Sequence, residues 1–147
     1  MRLVLDTCVI VAAVKSATGA SRILVEWASV GRPITAILSV PLLNQYEDVI
    51  FRPEHRSPEW SDEDLHALIT SLLVPSELVE THFSYRPTLR DEGDELVLEA
   101  AINGHADIVT FNGKDFKPAA QFGIRILTPA EVLKRMLTER GMRHGTE

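Results

Sequence analysis

The sequence predicts an α/β domain of three layers, in which helices flank a central, mostly parallel sheet. Three observations favour this class. Strand-like segments alternate with helix-like segments along the chain. Several of the strand-like segments are apolar throughout, as expected for strands that are covered on both faces. The chain of 147 residues has the length of one domain, which we place at residues 1–140, followed by a flexible tail at 141–147.

The first half of the chain contains two predicted strands and three predicted helices. The strands are residues 2–5 and 34–38. Residues 22–30 form the first predicted helix, because their apolar side chains share one helical face. Pro41 opens the second helix in its first turn, where a missing N–H is tolerated. Ser61 with Asp64 resembles a capping box and opens the third.

The second half contains three predicted strands and two predicted helices. The strands are residues 78–81, 108–110 and 124–127. One helix begins near Asp94. Thr128, Pro129 and Glu131 supply the cap, the first-turn proline and the returning acid of the last helix. Because ligands of such sheets bind beyond the carboxyl ends of the strands, the residues that follow the strands are the candidates for function.

The net charge, the cysteine count and the N-terminal segment argue against several classes of protein. The net charge of −6 argues against a protein that coats nucleic acid through a basic surface, although bound divalent cations would offset much of that charge. Cys8 is the only cysteine, so no intrachain disulfide and no cysteine-based zinc site can form. The apolar N-terminus is interrupted by Asp6 and Lys15 and lacks the features of a signal peptide. We therefore expect a cytoplasmic protein.

Four aspartates are placed where strands of a parallel sheet end or where a helix follows: Asp6, Asp91, Asp94 and Asp115. Gathered at one edge, they would repel one another unless a cation lay between them. Carboxylate oxygens suit Mg²⁺ or Mn²⁺, and two such ions can stabilise the attacking and leaving oxygens of a phosphodiester. The pattern thus favours a metal site in which metal-bound water is the nucleophile.

Simpler interpretations of these acids stay open. Asp91 and Asp94 match a helix cap, and Asp115 can belong to a turn made by Asn112 and Gly113. Asp6 is harder to explain in this way, because it directly follows an apolar strand, where an unpaired buried charge is costly.

Three segments carry a resemblance to a known family. They are VLDTCVIVAAV, SVPLLNQYEDVIFRP and RDEGDELVLEAAINGHADIVTFNGKDF. Their order resembles the PIN-domain ribonucleases from residue 2 to about residue 138. The chain is most similar to bacterial PIN-family proteins described as toxins of toxin–antitoxin pairs (VapC-like). The likeness implies a PIN-like fold.

The resemblance also implies an activity, a site and partners. Such proteins cleave RNA with Mg²⁺ or Mn²⁺, which implies metal ligands at Asp6, Asp94 and Asp115, with Asp91 nearby. Thr110 and Asn112 would orient water or a ligand. The partners implied are an antitoxin whose basic tail fills the acidic groove and a second copy of the chain in a homodimer. Apolar helix faces at residues 22–30 and 61–74 support a partner only indirectly.

One residue departs from the family pattern. The family commonly carries a glutamate where this chain has Gln45. Glu47 and Asp48 are poor replacements. Glu47 lies roughly 160° from Gln45 around a helix, and Asp48 lies roughly 60° from Gln45 but further from the apolar stripe. Four interpretations stay open. Gln45 acts through its amide oxygen, a metal position is weakened, the helix is misaligned, or Gln45 is a flanking residue without a role.

Four basic residues are candidates for contacts with RNA phosphates: Lys15, Lys114, Arg52 and Arg56. Lys15 and Lys114 rank first, because they lie just beyond the predicted acidic positions. The simpler interpretation of each is a solvated surface side chain. The five histidines are scattered without the pairing of metal ligands, so none is assigned to a metal.

Other enzyme classes lack their required residues. A cysteine phosphatase needs arginine at position 14, which is Val14, and a DxD phosphotransferase needs an acid where Cys8 stands. No GxGxxG motif or P-loop is present. The alternative that stays open, because of Gln45, is a PIN-like module that binds RNA or a protein partner without cutting.

Overall fold

The computed structural model describes residues 1–80 and 91–145, with Glu92 and residues 141–145 described by backbone only. Within that part, five parallel strands form one sheet in the order β3-β2-β1-β4-β5. They are β1 (Arg2–Leu5), β2 (Thr35–Leu38), β3 (Glu77–Leu78), β4 (Asp107–Val109) and β5 (Ile126–Leu127).

Helices connect the strands and cover both faces of the sheet, so the predicted three-layer α/β/α fold is confirmed. The α-helices are α1 (Thr7–Lys15), α2 (Ala20–Val30), α3 (Val40–Ile50), α4 (Asp62–Leu73), α5 (Glu92–Gly104) and α6 (Pro129–Gly145). Two 3-10 segments, Pro53–His55 and Gly113–Phe122, complete the described elements.

The strands have the burial that their composition predicts. Leu3, Val4 and Leu5 of β1 are almost completely buried, as are Ile37 and Leu38 of β2. Strands buried on both faces need no polar alternation, which explains why these segments are apolar throughout. The hydrophobic core therefore lies on both sides of β1 and β2.

Two predicted capping boxes are confirmed. The Ser61 hydroxyl accepts from the Asp64 N–H, and the Asp64 carboxylate accepts from the Ser61 N–H, at 3.1 and 2.9 Å. Thr128 and Glu131 exchange the same pair of bonds at 3.1 and 3.2 Å ahead of α6. Each box satisfies N–H groups that the first helical turn leaves without a partner.

The structure corrects the predicted elements at several places, and one is the last strand, which is predicted at 124–127 and observed at Ile126–Leu127. Helix α1 was not predicted, because its run of β-branched residues is more typical of a strand. The 3-10 segment Gly113–Phe122, which contains Asp115, stands where only a turn was expected. The predicted strand at 78–81 is Glu77–Leu78, and Thr81 lies outside the described residues.

The C-terminal end of the chain is helical as far as Gly145. The predicted flexible tail at 141–147 extends beyond the described residues, and its flexibility stays a prediction. Within the described residues, no single helix is long and apolar enough to span a membrane, although the bent pair α1 and α2 satisfies a test of length and composition.

The order of the strands determines where a site can form. From β1 the chain passes outward through β2 to β3, and then places β4 and β5 on the other side of β1. The strand order therefore reverses between β1 and β4. In open parallel sheets the crevice at such a reversal, beyond the carboxyl ends of the strands, is where ligands bind.

Candidate active-site cleft

Asp6 lies at this reversal, where β1 ends. Its backbone N–H donates to the Val109 carbonyl of β4 at 2.9 Å. Its side chain is only 5% exposed and caps α1, with Oδ1 accepting from the Thr7 N–H at 2.8 Å. The carboxylate is therefore held at the base of a cleft between the ends of β1 and β4.

Thr110 and Cys8 hold the other oxygen of this carboxylate. The buried Thr110 hydroxyl donates to Asp6 Oδ2 at 2.7 Å and accepts from the Asn112 N–H at 3.0 Å. The Cys8 thiol donates to the same Oδ2 at 3.3 Å. Burial and the charge of Asp6 raise the pKa of Cys8 to about 11, so the thiol stays a donor at neutral pH.

Asp91 and Asp94 enter the same region from the start of α5. Asp91 caps the helix, because its Oδ1 accepts from the N–H groups of Gly93 and Asp94 at 2.7 and 3.3 Å. The predicted helix cap is confirmed for Asp91, and that role leaves it facing the cleft, which it lines together with Asp94.

The pKa of Asp94 shows that the carboxylates lie near one another. Partial burial raises its pKa first, and repulsion from Asp6, Asp91, Asp115 and Glu95 raises it further, to about 7. Asp115 is exposed on the 3-10 segment, where its N–H donates to the Asn112 carbonyl at 3.0 Å. Three other predicted acids, two of them distant in sequence, thus act electrostatically on Asp94.

The chemistry of these side chains fits a hard divalent cation. Carboxylate oxygens are the ligands that Mg²⁺ and Mn²⁺ prefer, and a cation would relieve the repulsion that raises the pKa of Asp94. Among the described residues, however, no three His, Cys, Asp or Glu side chains are positioned together to hold one ion. The donor types and charge therefore fit a metal, while the side-chain positions do not define a coordination shell.

Gln45 faces these acids from α3. The next residue, Tyr46, is buried, and its hydroxyl donates to the Leu5 carbonyl, which fixes α3 over the end of β1. Burial and the charge of Asp6 raise the pKa of Tyr46, so this donor persists. A Cβ on Gly93 would lie 3.4 Å from Gln45 Nε2 and 3.0 Å from Asp91 Oδ1. Gln45 therefore lies beside the turn that carries Asp91 and Asp94.

The acids near Gln45 on α3 lie elsewhere. Glu47 and Asp48 border a second surface pocket with Phe51 and His66. Asp48 also pairs with Arg52 at 2.9 Å. The helical geometry that made them poor replacements for Gln45 agrees with this placement.

The predicted phosphate-binding residues divide into two groups. Lys15 and Arg52 line the acidic cleft. Arg56 instead pairs with Asp62 at 2.7 Å and lies 5.5 Å above the Phe51 ring. Lys114 is exposed on the 3-10 segment that follows β4.

The cleft has a volume of about 450 Å³ and includes residues that the sequence did not single out. One group comes from α1: Cys8, Val11, Ala12 and Lys15 share one helical face toward the cleft. The helical spacing of these four residues is visible in the sequence, but it indicates a shared face only if the segment is a helix, and α1 was not predicted. His55 and Phe111 also line the cleft. No sequence signal distinguished His55 from the other histidines, whereas Phe111 directly follows the predicted site residue Thr110.

Comparisons with known proteins agree with the resemblance of the sequence motifs. The family model described as PIN domain matches residues 2–114. No curated protein matches the chain significantly. A chain in the crystal structure of VapBC2 from Rickettsia felis, bound to a DNA fragment from their promoter, matches with a TM-score of 0.58. The match has 16% identity and covers 87% of this chain and 98% of that chain, so it shows a shared fold.

Proposed function

This chain belongs to the PIN domain family, and from that membership we propose that it is a divalent-metal-dependent endoribonuclease that hydrolyses RNA phosphodiesters. The observation that carries the proposal is the meeting of Asp6, Asp91 and Asp94 in one cleft. Burial, together with the charges of Asp6, Asp91, Asp115 and Glu95, raises the pKa of Asp94 to about 7. Acids gathered at such electrostatic cost are typical of functional sites.

We assign Asp6, Asp94 and Asp115 as ligands of Mg²⁺ or Mn²⁺, with Asp91 nearby. A cation bound there would supply a hydroxide-like water and neutralise charge on the phosphodiester. The chain's own hydrogen bonds prepare the site. Donors from Thr7, Cys8 and Thr110 fix the Asp6 carboxylate in one orientation.

The remaining cleft residues have positioning roles. Asn112 lines the cleft beside Thr110, where its amide can orient water or RNA. Lys15 and Arg52 line the same cleft and can contact phosphates on either side of the scissile bond. Their positive charges also partly offset the acids, which would otherwise repel the RNA backbone.

A second candidate function rests on Gln45. The residue faces the carboxylates, yet its amide is neutral and can serve neither as an anionic ligand nor as a general base. A module that binds RNA or a protein partner without cutting it would fit this substitution. Comparison of the native protein with a Gln45→Glu variant distinguishes the two candidates, because only the nuclease cuts RNA with Gln45 in place.

The proposed function extends to partners and to a compartment. We propose a cytoplasmic toxin of a toxin–antitoxin pair, with an antitoxin tail that brings basic residues to the acidic cleft, and a homodimer. Val30, on α2, and Val74, directly after α4, are exposed, and an apolar cavity of about 370 Å³ lies between Val25 and Leu68. Sedimentation as a monomer across micromolar concentrations would contradict the homodimer.

The experiment that tests the activity is cleavage of a mixed RNA set by the purified protein with Mn²⁺ and with EDTA. Asp6→Asn is the matched variant, because asparagine keeps the helix cap and removes the charge. We expect cleavage that EDTA and Asp6→Asn both abolish. Cleavage by Gln45→Glu alone would indicate a decayed site, and no cleavage by either protein would favour the binding module.

A further inference from the structure

Phe111 is an exposed aromatic residue at the edge of the acidic cleft. It is 52% exposed, and among the described large apolar residues with high exposure it is the one that lines this cleft. Single exposed apolar side chains are common on protein surfaces and need no explanation. The position of Phe111, directly beside the proposed reaction centre, distinguishes it from the others.

The backbone around Phe111 is held on both sides. Thr110 is fixed through its bond to Asp6, and the Asn112 N–H donates back to the Thr110 hydroxyl at 3.0 Å. Because its neighbours are anchored to Asp6, the backbone that carries the ring is held beside this carboxylate.

The acidic charge of the cleft weakens its attraction for RNA phosphates, and an aromatic ring can provide affinity in another way. The chain carries a net charge of −6, and the cleft gathers several acids around two basic residues. Phosphate attraction, the main source of affinity in most nucleic-acid sites, is weakened here. Stacking of a base on an aromatic ring contributes to affinity without ion pairing and depends little on base identity.

We propose that Phe111 is a stacking platform for an unpaired nucleobase next to the scissile phosphate. This inference rests on the proposed function. A base inside a duplex is already stacked on both faces and cannot present one to Phe111, whereas an unpaired base can. In this arrangement the ring holds one unpaired base of the RNA beside the carboxylates that line the cleft.

The test is binding of labelled single-stranded and duplex RNA to proteins that all carry Asp6→Asn, which leaves the RNA uncut. In that background we compare Phe111→Ala, Phe111→Leu and Phe111→Trp. Leu137→Ala on α6 is the control, because Leu137 is equally exposed but lies outside the residues that line the cleft.

We expect Phe111→Ala to weaken single-strand binding by on the order of 10- to 100-fold, with little effect on duplex binding. Phe111→Leu should also bind weakly, while Phe111→Trp should keep the affinity and lose fluorescence when a base stacks on it. The slope of affinity against salt should stay unchanged in Phe111→Ala and decrease by about one ion in Lys15→Ala.

Equal single-strand affinity in Phe111→Ala and its parent would overturn the proposal. So would an equal loss for duplex RNA, weak binding by Phe111→Trp, or a change in oligomeric state with unchanged RNA affinity, which would make Phe111 a protein contact. If the proposed nuclease function is wrong, the experiments give a different result. A native protein that cuts no RNA, yet binds single strands through Phe111, would contradict the nuclease and keep the platform.

Discussion

Asp94 is a cleft residue on which several neighbouring charges act. It is partly buried, and three of the four neighbouring charges that raise its pKa are the acids predicted from the sequence. The sequence placed Asp94 at the start of a helix, but it could not show this interaction. The effect depends on side chains that are 88 and 21 residues away in the chain, and only the fold brings them close.

This raised pKa predicts how the stability of the metal-free protein depends on pH. The folded pKa of about 7 lies above the ordinary value of 3.8, so between these values the folded state binds more protons than the unfolded state. Stability therefore falls as the pH rises from about 4 to 7 and loses nothing more from this group above 7.

Asp94→Asn removes this pH-dependent cost. In EDTA we expect the variant to melt at a higher temperature than the native protein at pH 8, with the difference shrinking as the pH falls towards 4. Melting curves from pH 5 to 8.5 provide the measurement. A difference that does not vary with pH would show that the acids do not interact as described.

At the scale of elements, the sequence predicted helices well where apolar residues recur at helical spacing and a cap is present. Helix α4 and its Ser61 box are an example. Helix α1 was not predicted, because Val9, Ile10 and Val11 form a β-branched run. Its N-cap, Asp6, was interpreted only as a candidate ligand. Asp6 in fact has the cap role as well.

The contact between α5 and β2 offers a test of the packing. A Cβ on Gly104 would lie 2.4 Å from Cγ2 of Ile37, which is fully buried. Gly104→Ala should therefore destabilise the fold by about 1 to 3 kcal/mol and lower Tm by roughly 3 to 10 °C.

Gly113→Ala is the matched control, because its Cβ would meet Ile126 at an ordinary 3.5 Å. Thermal melting of both variants provides the measurement. Equal Tm values for Gly104→Ala and the native protein would mean that α5 and β2 pack less closely than the structure shows.

At the scale of the whole molecule, the site depends on topology. Asp6 and Thr110 are 104 residues apart in the chain and share a hydrogen bond because β1 and β4 are parallel neighbours. Strand-end positions in the sequence predicted that the acids would share an edge, and the PIN resemblance supplied their roles. Neither predicted His55 or Phe111, because which loops border a cleft depends on the packing of helices around the sheet.

The most direct test of the central claim, that this edge of the sheet binds a divalent cation, is a calorimetric titration with Mn²⁺ at neutral pH. Asp94→Asn is compared with Glu63→Gln, which removes the same charge at an exposed position on α4. We predict that the native protein and Glu63→Gln bind Mn²⁺ alike, while Asp94→Asn binds at least about tenfold more weakly. No binding by the native protein at millimolar Mn²⁺, or equal binding by all three, would contradict the metal site.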